Sequence, residues 1–197
     1  MATKIKNSVI ETLAPTTLTY GNNVFSIKGF KEIAGHDDSL PYQAKIYMNG
    51  KCIGTASNDG WGGPTNIYTS NANELERLGQ AEKFLCENNF TENTYYGPLK
   101  VDSVEFIADI LADNANLAKD LTKASKKKIV FFNPKTSVMK TFNLALTKGQ
   151  TIEERLMQSK LLRQDLANKV KSLRGAGFIL INDLSSVEGF GPDKKTA

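Results

Sequence analysis

Hydrophobic and polar positions alternate loosely from Val24, where Phe25 and Ile27 are interleaved with Val24, Ser26 and Lys28, and this predicts a strand running toward Ile33. Residues 35–41 interrupt it. Residues 42–48 and 51–56 then meet across Asn49-Gly50, a dipeptide that accepts the positive φ angles of a type I′ turn, so a β-hairpin is predicted. A third strand around residues 66–69 follows the loop Asn58-Asp59-Gly60-Trp61-Gly62-Gly63-Pro64, and the first half reads as an antiparallel meander. Residues 1–22 show no sustained period and read as a flexible arm carrying at most a short strand.

After Ser70 the period lengthens. Leu75, Leu78, Ala81, Phe84 and Leu85 share one helical face, opposite Glu74, Glu76, Arg77, Glu82 and Lys83, with the cap at Ser70 or Asn71. A turn at Tyr95-Tyr96-Gly97-Pro98 leads to a second helix, capped by Asp102 or Ser103 and carrying Val104, Ile107, Ile110, Leu111, Leu117 and Leu121. The apolar run from Ile129 to Phe132 and a partner strand over 138–146 form a second hairpin around residues 134–137. Thr151 and Glu154 make a capping box that opens the longest helix, with Gly175 placed to stop it. An apolar strand over 177–181 follows, and residues 185–197 read as a frayed tail.

The order predicts an α+β fold: an antiparallel β-meander packed with helices, followed by a ββαβ C-terminal half whose last strand, reached through a helix, is a candidate for parallel pairing. At 197 residues, 40% apolar and 23% charged, the chain is expected to fold as a single domain over 1–197, and any subdivision is expected near residues 95–101. No apolar run approaches the roughly 20 residues that cross a bilayer, and residues 1–15 lack a secretory pattern, so a cytoplasmic protein with no membrane partner is expected. Cys52 and Cys86 are too few for a disulfide framework and read as buried free thiols. The single histidine, His36, excludes any site that needs two imidazoles.

Unusual residues concentrate in two loops that flank the first hairpin. If the loops converge, His36, Asp37, Asp38, Asn58 and Asp59 form a hard-oxygen cluster able to hold Mg²⁺ or Ca²⁺, although Asp and Asn more often simply shape turns. The glycines at 60, 62 and 63 would let backbone amides approach a phosphate, yet they match no nucleotide-loop pattern. Trp61, the only tryptophan, is either an anchor for a partner or a lid folded over the sheet, and the lid is the favoured reading. Lys123, Lys126, Lys127 and Lys128, extended by Lys135 and Lys140, would make a stripe for a nucleic-acid backbone, whereas a solvated helix end accounts for the same run more simply. No nucleophile arrangement is evident: neither cysteine has a histidine nearby in sequence, and there is no G-x-S-x-G.

The stretch Gly35-His36-Asp37-Asp38, then Tyr42-x-Ala44-x-Ile46-Tyr47-x-Asn49-Gly50-Lys51, then the 58–64 loop resembles a recurring N-terminal pattern in uncharacterised proteins of bacteriophages and bacterial mobile elements. The match covers about 30 residues and implies a phage or prophage setting, hence the host cell cytoplasm, and no active-site residue. Small phage accessory proteins commonly act by binding. The expectation is therefore a non-enzymatic accessory protein, without a cofactor, that binds and inhibits a host defence protein in the manner of an anti-CRISPR or similar inhibitor. Asp37, Asp38, Asp59 and Trp61 are its expected contacts, with Lys126, Lys127 and Lys128 as a second surface. The rival expectations are a nucleic-acid-binding accessory protein using the 123–128 lysines, a metal-dependent nucleotide- or phosphodiester-processing enzyme built on His36, Asp37, Asp38 and Asp59, and a nucleotide sponge.

Overall fold

The computed structural model describes residues 8–33, 40–94, 97–188 and 190. The fold is α+β. Backbone contacts group it into two compact units, one spanning Ala14–Ala118, the other combining helix α1 (Ser8–Leu13) with the chain from Lys119 onward. The division falls between Ala118 and Lys119, and residues 95–101 lie inside the first unit.

The first unit holds a five-stranded antiparallel sheet in sequence order: β1 (Thr17–Tyr20), β2 (Asn23–Glu32), β3 (Tyr42–Met48), β4 (Lys51–Asn58) and β5 (Asn66–Tyr68). The predicted arm is thus an edge strand over 17–20, because Leu18 and Tyr20 alternate with Thr17 and Thr19 and bury their side chains. The β3–β4 hairpin turns on Asn49 and Gly50, at φ 51° and 77°, as Asn-Gly dictates. The Asn49 side chain also ties the turn to β2, accepting from Val24 N at 2.9 Å and donating to Asn23 at 2.7 Å. Helix α2 (Ala72–Glu87) starts at Asn71, whose side chain accepts from Glu74 N. The hairpin β6 (Phe90–Thr94) and β7 (Gly97–Val101) then stands where only a turn was predicted. Helix α3 (Val104–Ser125) begins at Ser103, whose hydroxyl accepts from Phe106 N at 3.2 Å.

Alternation along the strands leaves the sheet with two unlike faces. Phe25, Tyr42, Ala44, Ile46, Ile53 and Ala56 are buried and pack with Ala81 and Leu85 of α2 and with Val104, Ile107 and Leu111 of α3. Lys28, Gln43, Lys45 and Tyr68 point the other way and are exposed.

In the second unit β8 (Lys128–Asn133) lies between β9 (Val138–Asn143) and β10 (Ile179–Leu180), and both pairings are antiparallel. The parallel partner envisaged for the last strand is therefore not formed: Ile179 opposes Phe132 and Leu180 opposes Phe131. The Thr151 capping box is present, but the single long helix is two helices, α4 (Ile152–Met157) and α5 (Lys160–Gly175). Ser159 restarts the helix by accepting from Leu162 N at 3.3 Å, and Arg163 satisfies the freed carbonyls of Leu156 and Met157 at 3.0 and 2.8 Å. α5 ends at Gly175, as expected, with Ala176 as its cap, and the left-handed residue that closes it is Gly177. Gly177 has φ 81°, and Phe178 N donates to Leu173 O at 2.9 Å. The start of the expected tail is docked, since Leu184 and Val187 are buried among Ile129, Phe131, Leu156 and Leu166.

Candidate functional site

The loop between β4 and β5 is built by its own side chains. Asn58 accepts from Gly60 N at 2.9 Å and Asp59 accepts from Trp61 N at 3.1 Å, two successive Asx turns that fix the backbone leading to Trp61. The Asn58 amide donates to Gly63 O at 3.4 Å and to Thr65 Oγ1 at 3.1 Å, which closes the far side. Gly60 and Gly62, at φ 80° and 78°, occupy the left-handed region that these turns require.

Beneath the loop the network continues into the unit. The hydroxyl of Thr65 and that of Tyr42, the latter at 2.9 Å, both donate to Asp109 Oδ1 on α3. Tyr42 and Thr65 are 2% and 4% exposed, which removes both from contact with a substrate and makes this a structural clamp. Burial raises the Asp109 carboxyl above its ordinary value, opposed by the two hydroxyls that donate to it. Asp113, one turn along α3, is also raised, first by the surrounding protein and then by the charge of Asp109. Burial pushes the Tyr42 phenol up as well.

The clamp holds the loop but does not cover Trp61, which is 72% exposed. The favoured lid reading is thereby corrected. Turn-making side chains point the 59–63 segment outward, and the core face is already filled by α2 and α3. Asp59 is exposed and serves its own turn. His36, Asp37 and Asp38 lie outside the described residues. The strand ends Glu32, Tyr42 and Asn58 are register neighbours at one end of the sheet. Among the described residues no group of three His, Cys, Asp or Glu side chains is placed to hold a metal ion.

Lys123, Lys126, Lys127 and Lys128 are exposed where α3 passes into β8. They do not continue as a stripe. Lys135 sits in the β8–β9 turn at the far end of the hairpin, and Lys140 pairs with buried Phe131, with its ammonium 4.7 Å from the Phe178 ring centre, on the face opposite Lys128. Cys52 is half-buried and burial raises its thiol, whereas Cys86 is exposed, contrary to expectation, because it falls off the apolar face of α2.

Sequence reasoning missed Asp109 and Thr65, and it missed the lysines of the open sheet face. Asp109 interrupts the apolar run from Phe106 to Ala112, which was the available signal. No described helix is long and apolar enough to cross a membrane. Comparison with models of protein families, with curated proteins and with solved structures finds no match to the chain.

Proposed function

We propose that the chain is a non-enzymatic binding protein that engages a partner protein through the Trp61 loop. The observation that carries this reading is the pairing of a 72% exposed tryptophan with a loop whose backbone is already fixed by Asn58, Asp59 and Thr65. A large apolar ring on a preorganised loop loses little conformational entropy on docking, and tryptophan is among the residues that dominate binding energy at interfaces. Burying a ring of this size removes roughly 150–250 Å², on the order of 4–6 kcal/mol at 25 cal/mol per Å² before association costs.

The resemblance of the 35–64 pattern to proteins of phages and mobile elements supports taking that partner to be a host defence protein, which the chain would block by occupying its working surface. Asp59 contributes by setting the loop, and Asp37 and Asp38 are kept as contacts on the strength of the sequence pattern. The exposed Lys126, Lys127 and Lys128 remain a second contact surface under this reading.

The test is capture of the tagged chain's partners from a bacterial lysate with and without nuclease, repeated with Trp61→Ala. A stoichiometric, nuclease-resistant defence protein that is lost with the variant supports the reading. Recovery of nuclease-sensitive material alone, or capture that survives Trp61→Ala, refutes it.

A further inference from the structure

The outward face of the five-stranded sheet has a composition that no local stretch of sequence displays. Register places Lys28, Lys45, Thr55 and Tyr68 in one row across four strands and Lys31, Gln43, Ser57 and Asn66 in the next. On the other side of the first row stand Thr17, Ser26, Tyr47 and Cys52. None of these twelve positions is acidic. Glu74, at its margin, interacts with the Cys52 thiol and accepts from Ser70 N at 2.7 Å.

Two features keep the three ammonium groups together. The pairing of β2 with β3 shifts between Lys28 and Lys31, and this bulge, with Gly29 at φ 67°, returns Lys31 to the face that Lys28 occupies. Lys28 is also held in place, its Nζ lying 4.7 Å from the centre of the Tyr47 ring. Lys28 and Lys45 are directly opposed, an arrangement of like charges that costs stability unless something anionic lies across it. Between these lysines, Gln43 and Thr55 is a shallow depression of about 540 Å³. Tyr68, 60% exposed on the edge strand, presents a planar ring at the end of the same row.

The geometry points to this face as a binding surface for single-stranded nucleic acid. The backbone phosphates lie along Lys28, Lys31 and Lys45, and a base stacks on Tyr68. Ammonium groups over a sheet face with an exposed aromatic ring supply the two elements such binding requires, an electrostatic track and a stacking platform. A duplex is disfavoured because the face offers no helix or ribbon to enter a groove. The surface is independent of the Trp61 loop and of the 123–128 lysines.

The experiment is fluorescence anisotropy of the full chain with labelled twelve-nucleotide oligo-dT and oligo-rU, against a duplex and a poly-glutamate competitor. With about three phosphates neutralised, log affinity falls with log salt at a slope near −2, roughly a twentyfold loss from 50 to 200 mM. Combined Lys28→Ala, Lys31→Ala and Lys45→Ala weakens binding about tenfold or more, and Tyr68→Ala alone weakens it about five- to a hundredfold. The tighter of the two oligonucleotides identifies DNA or RNA as the ligand. Should the triple variant fail to fold by circular dichroism, Lys45→Gln and Tyr68→Ala carry the test singly. The inference is overturned by absent binding at 50 mM salt, by a loss that follows Lys126, Lys127 and Lys128 substitution instead, by a duplex binding as tightly as the single strands, or by poly-glutamate competing as well as the oligonucleotides.

Discussion

Replacing Asp109 by alanine probes the clamp beneath the Trp61 loop most directly. Asp109 Oδ1 accepts the hydroxyl protons of both Thr65 and Tyr42, and both donors are almost wholly buried. Hydrogen bonds to a charged group contribute about 1.5–3 kcal/mol each, and an orphaned buried donor costs about 1–3 kcal/mol. Two terms oppose the loss. The raised carboxyl shows that burying the charge is itself unfavourable, and Tyr42 can turn its proton toward Thr65 Oγ1, 3.4 Å away. The net expectation is a destabilisation of about 2–4 kcal/mol for Asp109→Ala. Asp109→Asn retains an oxygen that accepts from both hydroxyls and removes the buried charge, so its cost stays within about 1 kcal/mol. Urea unfolding followed by circular dichroism reads this as a fall of about 1–2 M in midpoint for Asp109→Ala at an ordinary m-value. Hydrogen exchange of the β3–β5 amides assigns the transition to the first unit. A midpoint shift below about 0.3 M for Asp109→Ala, or equal losses for the two variants, would refute the account of the clamp.

The same carboxyl gives a pH signature. A carboxyl raised by folding binds its proton more tightly in the native state, so its contribution is fully present below the ordinary aspartate range and is lost as pH rises through the raised value. Urea midpoints measured from pH 4 to 7 should therefore fall less steeply in Asp109→Asn than in the parent. Gly54→Ala should cost about 1–3 kcal/mol in the same assay, because its Cβ would stand 2.6 Å from Ile67 Cγ2 and 3.1 Å from Tyr68 O and push β5 off the sheet. Trp61→Ala, at an exposed site, should leave the midpoint unchanged within about 0.5 kcal/mol while removing partner capture. Thiol labelling should modify exposed Cys86 well before half-buried Cys52, whose thiolate burial disfavours, and equal rates would contradict that assignment.

Much of the secondary structure was legible because it is encoded within a few residues. Asn49-Gly50 specified its turn, Asn71 and Thr151 specified helix starts, and the changes of period marked sheet and helix. The local readings failed where two local signals competed. Ser159 lay inside an apolar helical pattern and divided it, and, although α5 does end at Gly175, the residue with a positive φ that closes it is Gly177. The β6–β7 hairpin passed unnoticed because Phe90, Thr91 and Glu92 carry no clear alternation and their pairing with residues 99–101 supplies the order. For the candidate site, Trp61 and its glycine-rich loop stood out in the sequence, while the direction of the ring did not.

What the sequence determined by itself, then, was the α+β class, the elements with strong caps or turns, and the unusual loop at 58–64. What the tertiary structure alone decided was which distant residues share a surface. Tyr42 meets Asp109 across 67 positions, Lys28, Lys45 and Tyr68 fall into one row only through three strand registers, and Lys31 joins their face only through a bulge. Turns and caps are decided by energies among neighbouring residues, so a short window contains them. Register is decided by which faces of five strands must be buried together, and a slip of one residue in any of them would turn that strand's lysines or tyrosines into the core.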